Sequence, residues 1–376
     1  MRDPRLDKLA AVLVNYSTGI KKGDLVRIGG EVPGLPLIEA LYEQVLLAGG
    51  HPFVQLSSDN MDDAFFRLAT DAQLSFVNPL QRQMVDTIDA YIGVWAKENT
   101  KSRSRVLAEK QALASQARKP FLQRLLDRAA QKELRWTATQ YPTAASAQDA
   151  EMSLYEYADF VFRAGLLHLP DPVSAWRALS EKQQRLADYL DKKSEIRVLG
   201  KDTDLRLGIA GRRWINCDGH ENFPDGEVFT GPLETATEGT IRYTFPAVYQ
   251  GRECHDIVLV FKGGKVVDAR AGKGEDFLRK MIDQDAGART LGEFAIGTNF
   301  GITHYTKNTL FDEKIGGTCH AALGAAYPES GGKNESGLHW DMVCDLRQPG
   351  CQILADGEVI LREGRFTHAE WPAPQE

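Results

Sequence analysis

The pattern of apolar residues changes near residue 195, and this change divides the chain into two regions of different fold. Before it, short apolar runs alternate with helical patterns, and we predict buried strands at residues 24–28, 52–56, 90–96 and 134–139. The intervening helices are predicted at 4–17, 35–47, 102–117, 119–130, 153–163 and 174–193. Strands that alternate with helices form βαβ units with a parallel sheet. We therefore predict an N-terminal open α/β domain with a helical bridge, over residues 1–194.

After residue 195, short β-prone runs alternate with turns that are rich in Gly, Asn and Asp. The runs lie at 196–199, 205–209, 241–245 and 257–261, and hairpins are predicted at 262–265 and 353–361. Two helices are predicted within this region, around 275–284 and 318–326. The expected fold class is α/β, with a C-terminal β-rich α+β domain over residues 195–376 that carries a metal site.

The composition limits which partners are plausible. The chain has 376 residues, 43% of them hydrophobic, with a net charge of −7 and a pI of about 5.7. An acidic chain disfavours nucleic acid and anionic membrane as partners and is typical of a soluble enzyme. Five cysteines with no CxxC pair do not indicate a disulfide framework or a zinc knuckle. With neither a signal-peptide pattern nor a long apolar run, a cytoplasmic location is expected.

Five side chains of the C-terminal region have the chemistry of metal ligands. His339 and Asp341 are two residues apart, so on a strand they point to the same face. A buried His–Asp pair needs a partner, and a metal ion or a simple hydrogen bond between the two explains the spacing equally well. His320 lies among small residues, Glu293 lies in an apolar run, and Glu227 follows a Pro-Asp-Gly turn. Considered alone, His320 is also compatible with a structural core histidine.

Three carboxylates and two imidazoles are sufficient to hold two divalent ions. Such a pair of ions lowers the pKa of a bound water and polarises a carbonyl. Tyr327 follows His320 by seven residues, and its phenol could donate a hydrogen bond to an oxyanion. A packed tyrosine with a solvated hydroxyl is the alternative.

Four segments, taken in this order, resemble the thermophilic aminopeptidase family of metallopeptidases. They are residues 222–232 (Asn-Phe-Pro-Asp-Gly-Glu-Val-Phe-Thr-Gly-Pro), 291–299 (Leu-Gly-Glu-Phe-Ala-Ile-Gly-Thr-Asn), 312–324 (Asp-Glu-Lys-Ile-Gly-Gly-Thr-Cys-His-Ala-Ala-Leu-Gly) and 339–343 (His-Trp-Asp-Met-Val). The resemblance is close over the C-terminal half and looser over the N-terminal α/β domain.

The resemblance implies a metal-dependent aminopeptidase that releases N-terminal amino acids from peptides with a free N-terminus. It implies two divalent ions per chain (Zn, Co, Mn or Mg), a homodimer and an enclosed cavity. The implied metal ligands are Glu227, Glu293, His320, His339 and Asp341. Tyr327, Glu293 and Glu227 are the implied catalytic residues, with one of the two glutamates as the proton shuttle. Glu313 is a weaker candidate for the site.

A mononuclear non-heme iron ring-cleaving dioxygenase is the alternative enzyme. His320, His339 and Asp341 alone form a set of two histidines and one carboxylate, which binds a single iron. A one-iron site does not need Glu227 and Glu293, whereas a two-metal peptidase does. A non-catalytic binding protein on the same scaffold is disfavoured because the set of candidate ligands is complete.

Overall fold

The computed structural model describes residues 2–374, which form two compact units. The first unit comprises the chain up to Val173 together with Gly219–Phe223. The second comprises Ser174–Asp218 together with the chain from Pro224 onward. The last two residues of the predicted C-terminal domain, 375 and 376, lie outside the described residues.

The helices and strands follow in chain order. The helices are α1 Pro4–Val12, α2 Leu35–Leu47, α3 Asp59–Leu68, α4 Asp71–Leu74, α5 Pro79–Thr87, α6 Ala108–Ala130, α7 Ala144–Asp149, α8 Leu154–Ala164, α9 Pro172–Leu190, α10 Glu275–Ile282 and α11 Thr309–Asp312. The strands are β1 Leu25–Glu31, β2 His51–Ser57, β3 Ala90–Trp95, β4 Arg135–Gln140, β5 Glu195–Gly200, β6 Thr203–Gly208, β7 Ile215–Cys217, β8 Asn222–Phe223, β9 Glu227–Thr230, β10 Thr237–Arg242, β11 Ala247–Tyr249, β12 Arg252–Cys254, β13 Val258–Lys262, β14 Lys265–Arg270, β15 Leu291–Gly297, β16 Thr318–Gly324, β17 His339–Asp345, β18 Gln352–Ala355, β19 Glu358–Arg362 and β20 Arg365–Phe366. A π-helical turn spans Leu13–Ser17, and 3-10 turns span Val32–Gly34 and Pro328–Ser330. Within residues 2–374, no helix has both the length and the apolarity that a membrane crossing requires.

The first unit is built on a five-stranded parallel sheet, with strand order β2-β1-β3-β4-β8. Helix α2 connects the parallel strands β1 and β2 and has Pro36 in its first turn. Its residues Leu37, Leu41 and Val45 are buried, and their spacing of four places them along one side of the helix. This arrangement confirms the predicted open α/β fold of the N-terminal region.

Helix α6 differs from the prediction, which placed two helices at 102–117 and 119–130. The structure has one helix that continues through Pro120 and begins only at Ala108. A proline inside a helix removes one backbone hydrogen bond. Pro120 is exposed, and the buried side of the helix is held by Ala114, which packs with Leu74 of α4 and Phe66 of α3. Tertiary packing therefore maintains one continuous helix across the break predicted at residue 118.

The second unit is β-rich, as predicted. Its largest sheet is antiparallel, with strand order β14-β13-β10-β6-β5-β18-β19-β20. A five-stranded antiparallel sheet has the order β17-β16-β15-β9-β7, and β11 and β12 form a separate pair. Helix α9 contributes Leu186, Ala187 and Leu190 to the apolar core of this unit. From Ser174 onward this helix falls in the second unit, whereas the prediction placed it before a boundary at residue 194.

The helix predicted around 318–326 is wrong, because Thr318–Gly324 forms the interior strand β16. Every residue of β16 is buried, between β15 on one side and β17 on the other. A short run of small apolar residues has no periodicity that separates a buried strand from a buried helix. The error matters for function, because β16 carries His320.

Candidate metal centre

The register of strands β15, β16 and β17 brings the predicted ligands to one face of the five-stranded sheet. Glu293 on β15 and Asp341 on β17 both lie opposite Ala322 of the strand between them. His320 is two residues from Ala322, and His339 is two residues from Asp341, so all four ligands share this face. The methyl group of Ala322 leaves space between them. We call this surface the ligand face.

Glu227 joins the ligand face through a tight turn. It begins β9 and lies opposite Gly297 on β15. The preceding Gly226 has a φ of 124°, and a Cβ there would approach the Cβ of Asn299 to 2.6 Å. Asn299 also donates a hydrogen bond from Nδ2 to the carbonyl of Asp225 at 2.7 Å. Only glycine suits this conformation, and the turn directs Glu227 toward the other ligands.

Glu293 lies between the two histidines. Its Oε1 is 3.2 Å from Nε2 of His320, and its Oε2 is 3.4 Å from Nε2 of His339. Asp341 Oδ1 is 3.5 Å from Nε2 of His339 and 3.8 Å from Nε2 of His320. Both carboxylates therefore contact both imidazoles. All four side chains are close enough to share one compact centre.

Backbone carbonyls orient both imidazole rings. His320 Nδ1 lies 3.2 Å from the carbonyl oxygen of Glu313, and His339 Nδ1 lies 2.9 Å from that of Ala325. A carbonyl only accepts a hydrogen bond, so Nδ1 must carry the proton in each contact. Nε2 of His339 is then available as the ligand nitrogen, which is the usual arrangement around metal-bound histidine. His320 faces both groups of carboxylates, because its Nδ1 also lies 3.7 Å from Oε2 of Glu227.

The structure adds two residues to the site, the partly buried Glu313, which was a weaker candidate, and the buried Lys314, which was not predicted. Glu313 Oε2 is 2.7 Å from the ammonium of Lys314, and the same ammonium is 3.3 Å from Oε1 of Glu227. Lys314 is only 2% exposed. The sequence feature that could have indicated this ion-pair cluster is the run of three charged residues 312–314 (Asp-Glu-Lys), which has apolar residues on both sides.

The candidate ligands form overlapping groups of three, in each of which the donor atoms lie within 4.8 Å of one another. The first group is Glu227, Glu313 and His320, the second is Glu293, His339 and Asp341, and a third is Cys217, Asp225 and Glu227. The first and second groups together contain all five predicted ligands. They add only Glu313 to that set.

Burial and mutual charge shift the pKa values of these groups in opposite directions. Burial alone would lower the pKa of both histidines, but the neighbouring carboxylates raise it to about 10 for His320 and about 11 for His339. Burial opposes ionisation of Glu293 and Asp341, yet hydrogen bonds from the histidines hold both pKa values below the usual range. The pKa of Glu313 is raised, mainly by burial.

The residues present fit a divalent metal centre. Glu227 is 5% exposed, and its Oε2 has no hydrogen-bond partner among the described residues. A buried carboxylate oxygen without a donor is costly, and a cation would satisfy it. The donor set of carboxylates and imidazoles is the one that zinc and other first-row divalent ions use. Four carboxylates in one cluster also supply the negative charge that such ions require.

Tyr327 lies at the rim of this centre, just after β16. Its ring contacts Phe229 and His339 edge-on, with centroids 5.4 and 5.1 Å away. It is 43% exposed. Partial burial, followed by the charges of Glu293 and Asp341, raises the pKa of its phenol. The hydroxyl therefore stays protonated and can act as a hydrogen-bond donor.

The fold and the ligand set fit a metal-dependent enzyme. Residues 2–366 match the family described as thermophilic metalloprotease (M29), and the chain belongs to this family. Aminopeptidase 2 of Geobacillus stearothermophilus is 26% identical, and the similarity covers 97% of this chain and 98% of that protein. The predicted family and the predicted enzyme class, a metalloaminopeptidase, are confirmed.

Two solved structures share the fold. AmpT from Thermus thermophilus superposes with a TM-score of 0.85 at 24% identity and covers 97% of this chain and 99% of its own. The 2,5-dihydroxypyridine dioxygenase of Pseudomonas putida KT2440 gives a TM-score of 0.60 at 12% identity, covering 97% of this chain and 98% of its own. The scaffold is thus common to a peptidase family and to the alternative enzyme class. Family membership, rather than fold, places this chain with the peptidases.

Proposed function

We propose that this metalloaminopeptidase releases N-terminal residues from peptides with a free N-terminus and that its centre holds two divalent ions. The observation that carries the proposal is the pair of three-ligand groups in one compact centre. Glu293 touches both histidines, so the two groups are in contact. A single-iron centre would need only His320, His339 and Asp341, and it would give no role to the other buried carboxylates.

The two groups divide the ligands between the ions. Glu227, Glu313 and His320 would hold one ion, and Glu293, His339 and Asp341 would hold the other. Zn, Co, Mn or Mg in these positions would polarise the scissile carbonyl and lower the pKa of a water. Two bound ions would also offset the repulsion between the four carboxylates of Glu227, Glu293, Glu313 and Asp341.

The side chains supply proton transfer and oxyanion binding. We propose that one of the two glutamates, Glu227 or Glu293, accepts a proton from the attacking water and delivers it to the leaving amine. Tyr327 donates its hydroxyl hydrogen to the oxyanion that forms at the carbonyl carbon.

The test is hydrolysis of a panel of amino-acid p-nitroanilides by protein that has been stripped with a chelator. The stripped protein is reloaded separately with zinc, cobalt, manganese, magnesium or iron(II), and bound metal is measured in each sample. Activity that disappears on stripping and returns with about two ions per chain supports the proposal. One iron per chain with oxygen uptake on an aromatic substrate, and no hydrolysis with any metal, would establish the dioxygenase instead.

The homodimer and the cytoplasmic location remain proposals. In the first unit, helix α2 and strand β2 expose Leu46, Leu47, Val54 and Leu56, and such an apolar surface suits contact with a second copy. Light scattering after size-exclusion chromatography measures the oligomeric state. A mass of one chain at micromolar concentration would contradict the homodimer.

A further inference from the structure

Lys314 places a positive charge inside a centre that is otherwise built to bind cations. Its ammonium lies 3.3 Å from Glu227 Oε1 and 2.7 Å from Glu313 Oε2, and the residue is 2% exposed. Burial by itself disfavours its charge, but an ammonium enclosed by two carboxylates is compensated by both of them. Lys314 is therefore a fixed cation of the folded protein.

This charge belongs to one ligand group and not to the other. Both ion pairs of Lys314 are with carboxylates of the first group, Glu227 and Glu313. Within residues 2–374, no ion pair joins it to Glu293 or Asp341 of the second group. Before any metal binds, the first group thus has two carboxylates opposed by one ammonium, whereas the second has two carboxylates and no lysine.

We propose that Lys314 makes the two metal positions unequal, so that the ion held by Glu227, Glu313 and His320 is the weaker and more exchangeable one. This inference rests on the two-ion centre of the proposed function. A buried positive charge repels a divalent ion strongly, because the interior screens charge poorly. It also occupies Oε1 of Glu227 and Oε2 of Glu313, which an ion would otherwise use.

The same contact gives Lys314 a positioning role in the metal-free protein. Glu227 and the partly buried Glu313 lie close together, and their mutual repulsion would push them apart without a cation. Lys314 holds both carboxylates at the centre until an ion arrives. One position is therefore preformed at the cost of weaker ion binding.

The experiment is titration calorimetry of stripped protein with zinc or manganese ions alone. Wild type is expected to show two binding steps of different affinity. Lys314→Met removes the charge and keeps a similar volume, and it should strengthen the weaker step by about tenfold or more while changing the stronger step by less than about threefold. Lys314→Arg keeps the charge and should preserve the unequal steps. Lys193→Met is the control, because Lys193 pairs with Glu358, which is not a candidate ligand, and it should change neither step.

Two ligand variants assign each step to a position. Asp341→Asn removes a ligand of the second group, so only the weaker binding step should remain. Adding Lys314→Met to this variant should increase the affinity of that step. Glu313→Gln removes a ligand of the first group, so only the stronger binding step should remain. Adding Lys314→Met to this variant should change the affinity of that step little. Equal responses in the two backgrounds would overturn the proposal.

Failure of this inference can be separated from failure of the proposed function. Wild type that binds a single ion contradicts the two-ion centre itself. If wild type binds two ions and Lys314→Met leaves both affinities unchanged, only the role of Lys314 is contradicted. The same holds if the weaker binding step is lost in this variant. Circular dichroism checks that each variant is folded. If Lys314→Met is unfolded, Lys314→Gln, which is neutral but can still donate hydrogen bonds, decides by the same criterion.

Discussion

The two faces of strands β9, β15, β16 and β17 are made by alternate residues of the same strands, yet they differ in almost every property. The ligand face carries acidic and imidazole side chains separated by alanine and glycine. The opposite face, which we call the core face, packs into the apolar core of the second unit. It consists of Val228, Phe294, Ile296, Cys319, Ala321, Leu323, Trp340, Met342 and Cys344.

This difference teaches how the sheet supports a centre that is unfavourable by itself. Buried carboxylates cost free energy, and the ligand face offsets that cost only through histidines, Lys314 and bound cations. The core face buries large apolar side chains and so stabilises the strands that hold the ligands in register. We therefore expect substitutions on the ligand face to affect activity and those on the core face to affect stability.

The largest expected effect is on the ligand face. Glu293→Gln should lower kcat by about 10³-fold or more, equivalent to roughly 4 kcal/mol, because it removes the charge that contacts both histidines. The free energy of unfolding of the metal-free protein should change by less than about 1 kcal/mol, since the amide is isosteric. Steady-state kinetics and urea unfolding measure the two quantities. Glu181→Gln, on an exposed position of α9, is the control, and near-normal turnover by Glu293→Gln would remove Glu293 from the site.

The adjacent residue tests the opposite face. Phe294 is fully buried, and its ring meets that of Trp214 edge-on with centroids 6.3 Å apart. Phe294→Ala should lower the free energy of unfolding by about 3–4 kcal/mol because it leaves a cavity in the core. In the fraction that remains folded, kcat and metal content should stay within about twofold of wild type. A loss of kcat comparable with that of Glu293→Gln would show that the two faces are not independent.

On the ligand face, the sequence predicts which side chains come together but does not predict how their charges are paired. A period of two residues was enough to place His339 and Asp341 on the same side of a strand, and the structure brings all five predicted ligands together. The role of Lys314 was out of reach, because its partner Glu227 comes from a strand that is distant in sequence. The sequence predicts a helix where β16 lies, because small apolar residues carry no periodicity that distinguishes a buried strand from a buried helix.

Removal of the ions should have a smaller effect, confined to one unit. The more tightly bound ion, if it binds only the folded state and is present at 100 times its Kd, stabilises the protein by about 2.7 kcal/mol, so its removal by a chelator should lower stability by about that amount. The loss should appear as faster amide hydrogen exchange in β15, β16 and β17. Exchange in β1 and β3 of the first unit serves as the internal control. Equal acceleration in both units would mean that the ions do more than neutralise the ligand face.

The smallest expected effect concerns the rim of the ligand face, where Tyr327 is partly exposed. Tyr327→Phe should lower kcat by about tenfold, or roughly 1.4 kcal/mol, because a solvated hydroxyl stabilises an oxyanion less than a buried donor does. KM and metal content should not change, since the ring contacts with Phe229 and His339 remain. Tyr305→Phe is the matched control, because its hydroxyl donates to the carbonyl of Pro246 in the backbone. A higher KM with unchanged kcat would instead assign Tyr327 to substrate binding, and the ligand face would then perform the chemistry without a donor from its rim.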